Sequence, residues 1–230
     1  MYTFSSCLLA ATADVSIGNM ISQMSVGMIE SVKIFVLTIL FSMPLGLLVA
    51  FGRMSKIKII KWIVNIYISI MRGTPLMLQI IAIYFGPYYL FGMSLSSGYK
   101  FIAIILAFSL NYAAYFAEIY RSGIESMPKG QYEAADLLGY NKTQTFVKII
   151  FPQVIKRILP SVTNEVICLV KDTSLAYSVS FIEMFAITKQ LAASLTSFTP
   201  FIIAAVFYYL FNAIVAWIMN MIEKKLNYYS

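Results

Sequence analysis

Four ionisable residues lie inside long apolar segments of the sequence: Arg72, Glu165, Lys171 and Asp172. Charged side chains are costly in hydrocarbon and commonly mark a binding site or a transport pathway. Glu165 and Asp172 are seven residues apart, which places them on one stripe of a helix, about 10 Å apart. Asn164 and Lys171 form a second stripe beside it. This polar wall carries both charge signs and suits a zwitterionic amino acid, although the four charges could instead pair with one another.

A second polar feature interrupts the apolar run that carries Arg72. The sequence Met-Arg-Gly-Thr-Pro at positions 71–75 predicts a helix that stops and restarts, with Thr74 as the N-cap and proline as the first helical residue. Free backbone N–H groups at such a restart can bind a carboxylate. Counted at helical rise from Lys61, Arg72 lies about 16 Å along its span, near mid-depth. We therefore expect Arg72, Gly73 and Thr74 to face the polar wall, unless the proline kink serves packing alone.

The composition limits the classes of protein to which the chain can belong. The chain is 60% hydrophobic, has a mean hydropathy of +0.80, and carries only 12% charged residues and no histidine. The lack of histidine excludes His-based metal sites and the commonest general base, and we expect no metal site and no catalytic residues. The two cysteines, Cys7 and Cys168, lie too far apart in the sequence to suggest a disulfide framework.

Hydropathy predicts an all-α integral membrane protein of about five transmembrane helices. The expected spans are residues 26–51, 62–91, 101–120, 161–181 and 201–222. Twelve of the 17 basic residues fall on one side of this map, which predicts an outside N-terminus and a cytoplasmic C-terminus and explains the net charge of +7 without nucleic acid. Residues 1–25 form an amphipathic or disordered lead-in, residues 26–223 the membrane domain, and residues 224–230 a cytoplasmic tail.

The longest polar-rich interval, Gln131–Pro160, lies between the third and fourth spans. We expect two short helices, Gln131–Leu138 and Lys142–Ile150, joined at Gly139, which permits a left-handed helix stop. Pro152 then predicts a further break. We call this region, residues 128–160, the knuckle. A further helix is expected to lie on the outer surface within residues 182–199.

The knuckle resembles the cytoplasmic coupling loop, or EAA loop, of bacterial ABC importer permeases. The resemblance rests on Glu133, Ala134, Ala135, Gly139 and the closing Ile-Leu-Pro at 158–160. Four further blocks make the chain similar to the polar amino acid uptake permeases, a group that takes up histidine, arginine or glutamine. These blocks are Arg72–Leu76, Ala114–Ile124, Pro128–Ala135, and Asn164 with Lys171–Leu175. Tyr132 departs from the pattern, in which tryptophan is frequent.

The resemblance implies an ABC type I importer permease fold in a bacterial plasma membrane. It also implies a second permease copy or a homologous permease, two ATPase subunits below, which hold ATP and magnesium, and an external binding protein above. The implied ATPase-coupling residues are Gln131, Glu133, Ala134, Ala135, Gly139 and Lys142. Ser174 joins Arg72, Gly73, Thr74, Asn164, Glu165, Lys171 and Asp172 as a substrate-binding residue. The sequence lacks a Gly-x-x-x-x-Gly-Lys-[Ser/Thr] motif, so ATP hydrolysis is expected on a partner and not on this chain.

Other functions remain open at the level of the sequence. An ion-coupled secondary transporter would share the broken helix and the buried charges, but it would usually show internal repeats and more spans. A membrane enzyme would need an acid–base pair that is not evident here. The two acidic residues on one stripe favour a cationic amino acid such as arginine, with glutamine and cystine as alternatives.

The topology can be tested by labelling single cysteines from each side of the membrane. Cysteines placed at Ser55 and Asn141 should react only from the cytoplasm, and one at Ser97 only from outside, because basic loops stay on the cytoplasmic side. Reaction of the cysteine at Ser97 from the cytoplasm alone would show that the map is inverted.

Overall fold

The computed structural model describes residues 17–94 and 96–226, and within these residues the chain forms helices and no strands. This confirms the all-α prediction. In chain order the helices are α1 (Ile17–Arg53), α2 (Lys58–Gly73), α3 (Leu76–Phe91), α4 (Ser97–Glu125), α5 (Lys129–Leu137), α6 (Lys142–Gln144), a π-helical turn (Thr145–Ile150), α7 (Phe151–Asp172), a 3-10 segment (Thr173–Val179), α8 (Met184–Leu195) and α9 (Thr199–Leu226).

Three single helices, α1, α4 and α9, are long and apolar enough to cross a membrane. The α2–α3 pair meets the same criterion when taken together, with a bend of 111° at the break, so it forms a fourth, broken span. Helix α7 is not among them, because its sequence carries five charged residues. The fifth span and the orientation of the termini therefore stay predictions.

Two boundaries differ from the sequence-based expectation. Residues 17–25 belong to α1, while residues 1–16 of the expected lead-in lie outside the described part of the chain. The break expected at Pro152 is absent, because the chain is helical from Lys142 to Asp172. Pro152 is the second residue of α7 and directly follows the π-helical turn, so its missing N–H falls where the hydrogen-bond register of the helix changes. The knuckle therefore passes into α7 without interruption.

Helix α4 lies at the centre of the bundle and packs against α1, α2, α3 and α7. Its residues Ile104, Phe108 and Phe116 are fully buried. At Gly46 the backbone of α1 comes so close to α4 that an added Cβ would lie 2.8 Å from the Cβ of Phe116. Since α4 contacts both halves of the broken span and α7, it connects the elements that carry the predicted site.

Glu183 fastens helix α8 to the bundle. Its carboxylate is fully buried and accepts hydrogen bonds from the backbone N–H groups of Phe185, at 2.7 Å, and Ala186, at 2.8 Å. The hydroxyls of Ser31 on α1 and Tyr208 on α9 donate to the same carboxylate at 3.3 and 3.4 Å. Burial raises the pKa of this carboxyl from its ordinary value of 4.5 to about 7, against the lowering effect of the four hydrogen bonds.

Glu183 should make the stability of the protein pH-dependent. Because its pKa is higher in the folded protein, the stability it contributes is complete below about pH 4.5 and is lost as the pH rises through about 7. We expect thermal unfolding of the purified protein to show this loss between pH 5 and 8, and Glu183→Gln to be less pH-dependent. Glu223→Gln, which neutralises a carboxylate on α9, should keep the wild-type profile; equal profiles for all three proteins would contradict the prediction.

Candidate functional site

The predicted polar wall lies on the last two turns of α7. Glu165 and Asp172 are partly buried, whereas Asn164 and Lys171 are exposed. Arg72 and Asp172 both act electrostatically on Glu165, and Lys171 acts on Asp172. Among the described residues neither acid forms an ion pair. The wall therefore offers two carboxylates that no cation of the described chain neutralises directly.

Tyr112 of α4 contacts the wall and was not predicted. Its side chain is 2% exposed, and its hydroxyl donates a hydrogen bond of 2.7 Å to Oδ2 of Asp172. This bond fixes the orientation of the Asp172 carboxylate and leaves Oδ1 free for another donor. A hydroxyl partner is weaker than a cation, so Asp172 keeps its capacity to bind a charged ligand group.

Arg72 lies against α4 and forms no ion pair with the wall. Its guanidinium is 3.9 Å from Glu118 and stacks over the ring of Tyr115 at 5.3 Å. The alternative, in which the four ionisable residues pair with one another, does not hold for Arg72, whose ion-pair partner is Glu118. The Arg72 side chain is 44% exposed, so its guanidinium remains accessible to a ligand.

Glu118 also binds two other arginines. Arg121 NH2 lies at 2.8 Å and Arg53 Nε at 3.3 Å from its carboxylate. Because Arg53 is the last residue of α1 and Arg72 the penultimate residue of α2, one carboxylate joins the ends of two helices to α4. The guanidinium groups of Arg53 and Arg72 thus meet at one carboxylate. The mid-depth position of Arg72 stays a prediction.

The break between α2 and α3 is present, but its capping differs from the expectation. Thr74 is the C-cap of α2, Pro75 is the N-cap of α3, and no side chain caps α3. The Thr74 hydroxyl donates to the carbonyl of Ile70 at 2.8 Å and accepts from Gln79 Nε2 at 2.8 Å. No backbone N–H of α3 donates to it, so it is not the predicted N-cap. The first turn of α3 retains free N–H groups, as helix N-termini do.

The remaining predicted substrate residues have mixed surroundings. Gly73 is exposed, and an added Cβ would meet nothing within 4 Å. The Ser174 hydroxyl donates to the carbonyl of Lys171 at 2.8 Å, at the point where α7 gives way to the 3-10 segment. The structure thus places Gly73 in open space, whereas Ser174 already has a partner.

The knuckle has the two-part form that the sequence predicts. Helix α5 ends at Leu137, and Gly139, two residues later, has a φ of +79°. The N–H groups of Gly139 and Tyr140 donate back to the carbonyls of Asp136 and Ala135, respectively. Asn141 and Gln144 then form reciprocal capping bonds of 2.9 and 3.0 Å that start the next helical turn. Positive φ strains any residue with a Cβ, so Gly139 fits this turn.

A cleft of about 510 Å³ opens between the two parts of the knuckle. Glu133, Asp136 and Lys142 line it together with Tyr132, whose hydroxyl has a pKa raised by partial burial. Leu137 and Leu138 beside it are 90% and 75% exposed. This surface offers acidic groups and uncovered leucines to the aqueous side.

The predicted coupling residues do not all reach this surface. Glu133, Ala134 and Lys142 are exposed, whereas Ala135 is 1% exposed and packs inside the knuckle. Gln131 is turned towards α7, where its Oε1 accepts a hydrogen bond from Gln153 at 3.2 Å. Arg157 further fixes the knuckle by donating to the carbonyl of Ser126 at 2.8 Å.

Three residues missed by the sequence-based assignment share one signal. Tyr112, Tyr115 and Glu118 recur every third residue along α4, and all three contact a charged residue of the site. A polar stripe of this spacing on an apolar helix could have identified them. For metals, the described residues contain no group of three or more Cys, Asp or Glu side chains arranged to bind an ion.

Comparison with families and curated proteins agrees on the class of protein. Residues 42–228 match the family described as binding-protein-dependent transport system inner membrane component. A putative glutamine transport system permease of Rickettsia bellii is 37% identical over 203 residues, covering 87% of this chain and 91% of the relative. An L-cystine transport system permease of Bacillus subtilis is 34% identical, with 90% and 87% covered, and an arginine transport system permease of the same organism is 34% identical, with 87% and 90% covered.

The fold agrees with that of a solved transporter. A crystal structure of an amino acid ABC transporter with histidines superposes with a TM-score of 0.80 at 32% identity, covering 89% of this chain and 94% of that one. The likeness extends over both the membrane helices and the knuckle, since it spans nearly the whole chain.

Proposed function

The chain belongs to the family of binding-protein-dependent transport system inner membrane components, as a permease of ABC amino acid importers, and on that premise we propose that it carries a cationic amino acid. It does so in a bacterial plasma membrane, through a pocket bounded by α7, α4 and the α2–α3 break. The observation that supports this most directly is the pair of partly buried carboxylates, Glu165 and Asp172, which have no ion-pair partner among the described residues.

In the proposed pocket the two ends of the substrate meet opposite charges. The substrate carboxylate faces Arg72 and the free N–H groups at the start of α3, because both favour an anion. Asp172, oriented by Tyr112, binds the α-ammonium group with its free oxygen. Glu165, two helical turns away, then faces the side chain. A cationic side chain would neutralise Glu165 through a charge-assisted hydrogen bond, which a neutral side chain cannot form.

A neutral polar amino acid is the second candidate. Two of the similar permeases carry names that specify glutamine and cystine. In that case Arg72, which already acts on Glu165, would supply the balancing charge. The two candidates differ in what they require of Glu165, so this residue decides between them.

Transport would be powered from the knuckle. We propose that a dimer of ATPase subunits, which bind ATP and magnesium, docks on its exposed surface around Glu133, Ala134, Lys142 and the leucines 137 and 138. A second permease copy or a homologous permease completes the transmembrane pathway, and an external binding protein delivers the amino acid. Ala135 and Gln131 stabilise the knuckle itself and do not contact the ATPase. Ala135 is buried within the knuckle, and Gln131 accepts a hydrogen bond from Gln153.

Glu165→Gln should separate cationic from neutral substrates. The loss of one charge-assisted hydrogen bond costs about 1.5–3 kcal/mol, which is roughly 10- to 150-fold in affinity. We expect arginine binding to the purified permease–ATPase complex to weaken by that factor, and glutamine binding to change little. Glu30→Gln, which neutralises a carboxylate paired with Lys33 at 2.7 Å on α1, is the control. Equal losses for arginine and glutamine would assign Glu165 a structural role and remove the support for a cationic substrate.

Gly139→Val should uncouple the permease from its ATPase. The left-handed region costs a residue with a Cβ about 1–2 kcal/mol, and a β-branched residue fits there worst. We expect the variant to reach the membrane but to bind the ATPase subunits weakly and to transport little. Gly139→Asn, which tolerates positive φ, should stay close to wild type, as should Gly130→Ala, since open space surrounds Gly130. Normal ATP-driven uptake by Gly139→Val would disprove the coupling assignment.

A further inference from the structure

The break between α2 and α3 leaves backbone carbonyls at the end of α2 without helical partners, and the carbonyl of Met71 is one of them. In a continuous helix the carbonyl of Met71 would accept a hydrogen bond from the N–H of residue 75. Residue 75 is a proline, which has no N–H. A carbonyl without a donor is costly inside a membrane protein, where water cannot replace the missing bond. The structure must therefore supply a donor from elsewhere, or the break would be a flexible and unstable point.

Two side-chain amides supply that donor. Gln79 Nε2, on the first turn of α3, donates to the carbonyl of Met71 at 3.0 Å, and Asn111 Nδ2 of α4 donates to the same oxygen, also at 3.0 Å. Gln79 Nε2 further contacts the carbonyl of Thr74 at 3.1 Å and its hydroxyl at 2.8 Å. The two amides are joined, because Asn111 Nδ2 also donates to Gln79 Oε1 at 2.9 Å.

Burial makes this pair of amides rigid. Gln79 is 8% exposed and Asn111 is 5% exposed. Neither side chain can exchange its hydrogen-bond partners for bulk water. Breaking any of these hydrogen bonds would therefore leave a buried donor or carbonyl unsatisfied. The pair therefore tethers Met71 and Thr74, the residues on both sides of the Arg72–Gly73 dipeptide.

The tether determines where Arg72 lies. Asn111, Tyr115 and Glu118 are spaced four and three residues apart, so they share one face of α4. Asn111 holds the backbone of Met71 on this face, and the next residue, Arg72, then meets the Tyr115 ring at 5.3 Å and Glu118 at 3.9 Å. If the break were free, the long Arg72 side chain would sample many positions relative to α7.

We propose that Gln79 and Asn111 are positioning residues for the amino acid site: they replace the hydrogen bond that Pro75 cannot make and thereby fix Arg72 and Thr74 opposite α7. They act through the backbone of the break and do not touch the substrate. The inference rests on the proposed function for its effect on affinity. The rigid break itself does not depend on that function.

Two other hydrogen bonds provide matched controls. Tyr67 of α2 donates to the carbonyl of Leu110 at 2.5 Å, and Tyr99 of α4 donates to the carbonyl of Ile83 on α3 at 2.8 Å. Each bond joins one half of the broken span to α4, as the amide pair does, but neither touches the break. Tyr67→Phe and Tyr99→Phe therefore remove helix–helix bonds of the same kind without disturbing Met71 or Thr74.

The first measurement is the affinity of the complete permease–ATPase complex for arginine and glutamine. Gln79→Met and Asn111→Leu keep the side-chain size but remove the amides, and each should weaken binding by about tenfold, the change expected for one hydrogen bond. The double variant should bind the amino acid about as tightly as the more impaired of the two single variants, because the two residues act as one unit. Affinities unchanged from wild type, additive losses, or equal losses in the two tyrosine variants would overturn the proposal.

The second measurement does not depend on transport. In a chain with Cys7 and Cys168 replaced by alanine, Gly73→Cys places a thiol in open space at the break. Its rate of reaction with a maleimide should change several-fold when Gln79→Met is added and stay constant with Tyr67→Phe or Tyr99→Phe. An unchanged rate in Gln79→Met would overturn the rigid break. If the rate changes but even the wild-type complex binds no amino acid, the proposed function fails and the tether stands.

Should Gln79→Met fail to fold, Gln79→Glu, which keeps the shape but removes the amide donor, takes its place with the same expected outcomes.

Discussion

The carboxylate of Glu118 is shared by three guanidinium groups that come from three different helices. Arg53 ends α1, Arg72 ends α2, and Arg121 follows Glu118 by one turn on α4 itself. Each of these ion pairs is partly exposed and contributes modestly by itself. Because all three share one carboxylate, they form a network in which the three arginines and Glu118 constrain one another. Through this cluster the break, the first span and the central helix keep one relative position, and the polar wall on α7 faces a fixed surface.

Several of the few polar side chains satisfy backbone groups that apolar residues could not satisfy. Only 12% of its residues are charged, yet the charged and amide side chains gather where helices end or break. Glu183 caps α8 and joins it to α1 and α9, and Gln79 with Asn111 satisfies the carbonyls at the proline. Since a buried polar group is tolerated only when it is paired, these residues define which helices can meet. Several buried hydroxyl and amide oxygens of the described residues, such as Ser109 Oγ and Asn212 Oδ1, lack partners. Glu165 and Asp172 are partly buried carboxylates without an ion pair in the described chain, which makes them candidates for binding a charged ligand.

The two ends of the molecule are connected by one continuous helical segment. The chain is helical from Lys142 in the knuckle to Asp172 in the proposed pocket, and a π-helical turn at 145–150 precedes α7. A displacement of the knuckle would thus be transmitted along α7 to Glu165 and Asp172 without an intervening loop. Gln131 and Arg157 fasten the knuckle to this helix and to the end of α4, respectively.

Local features of the sequence were enough to predict the class of protein, four of the five expected spans, the broken helix at Pro75 and the left-handed turn at Gly139. These follow from local properties: long apolar runs, proline without an N–H, and glycine without a Cβ. Only the tertiary structure decided that Arg72 pairs with Glu118, that Tyr112 orients Asp172 and that Thr74 bonds backwards to Ile70. The partners of Arg72 and Asp172 lie on another helix, which local sequence patterns do not reveal. Thr74 could have capped either of the helices beside it, and only the structure shows that it bonds within the last turn of α2. Pro152 was misjudged for a related reason, because its effect depends on its place within a helix and not on its presence.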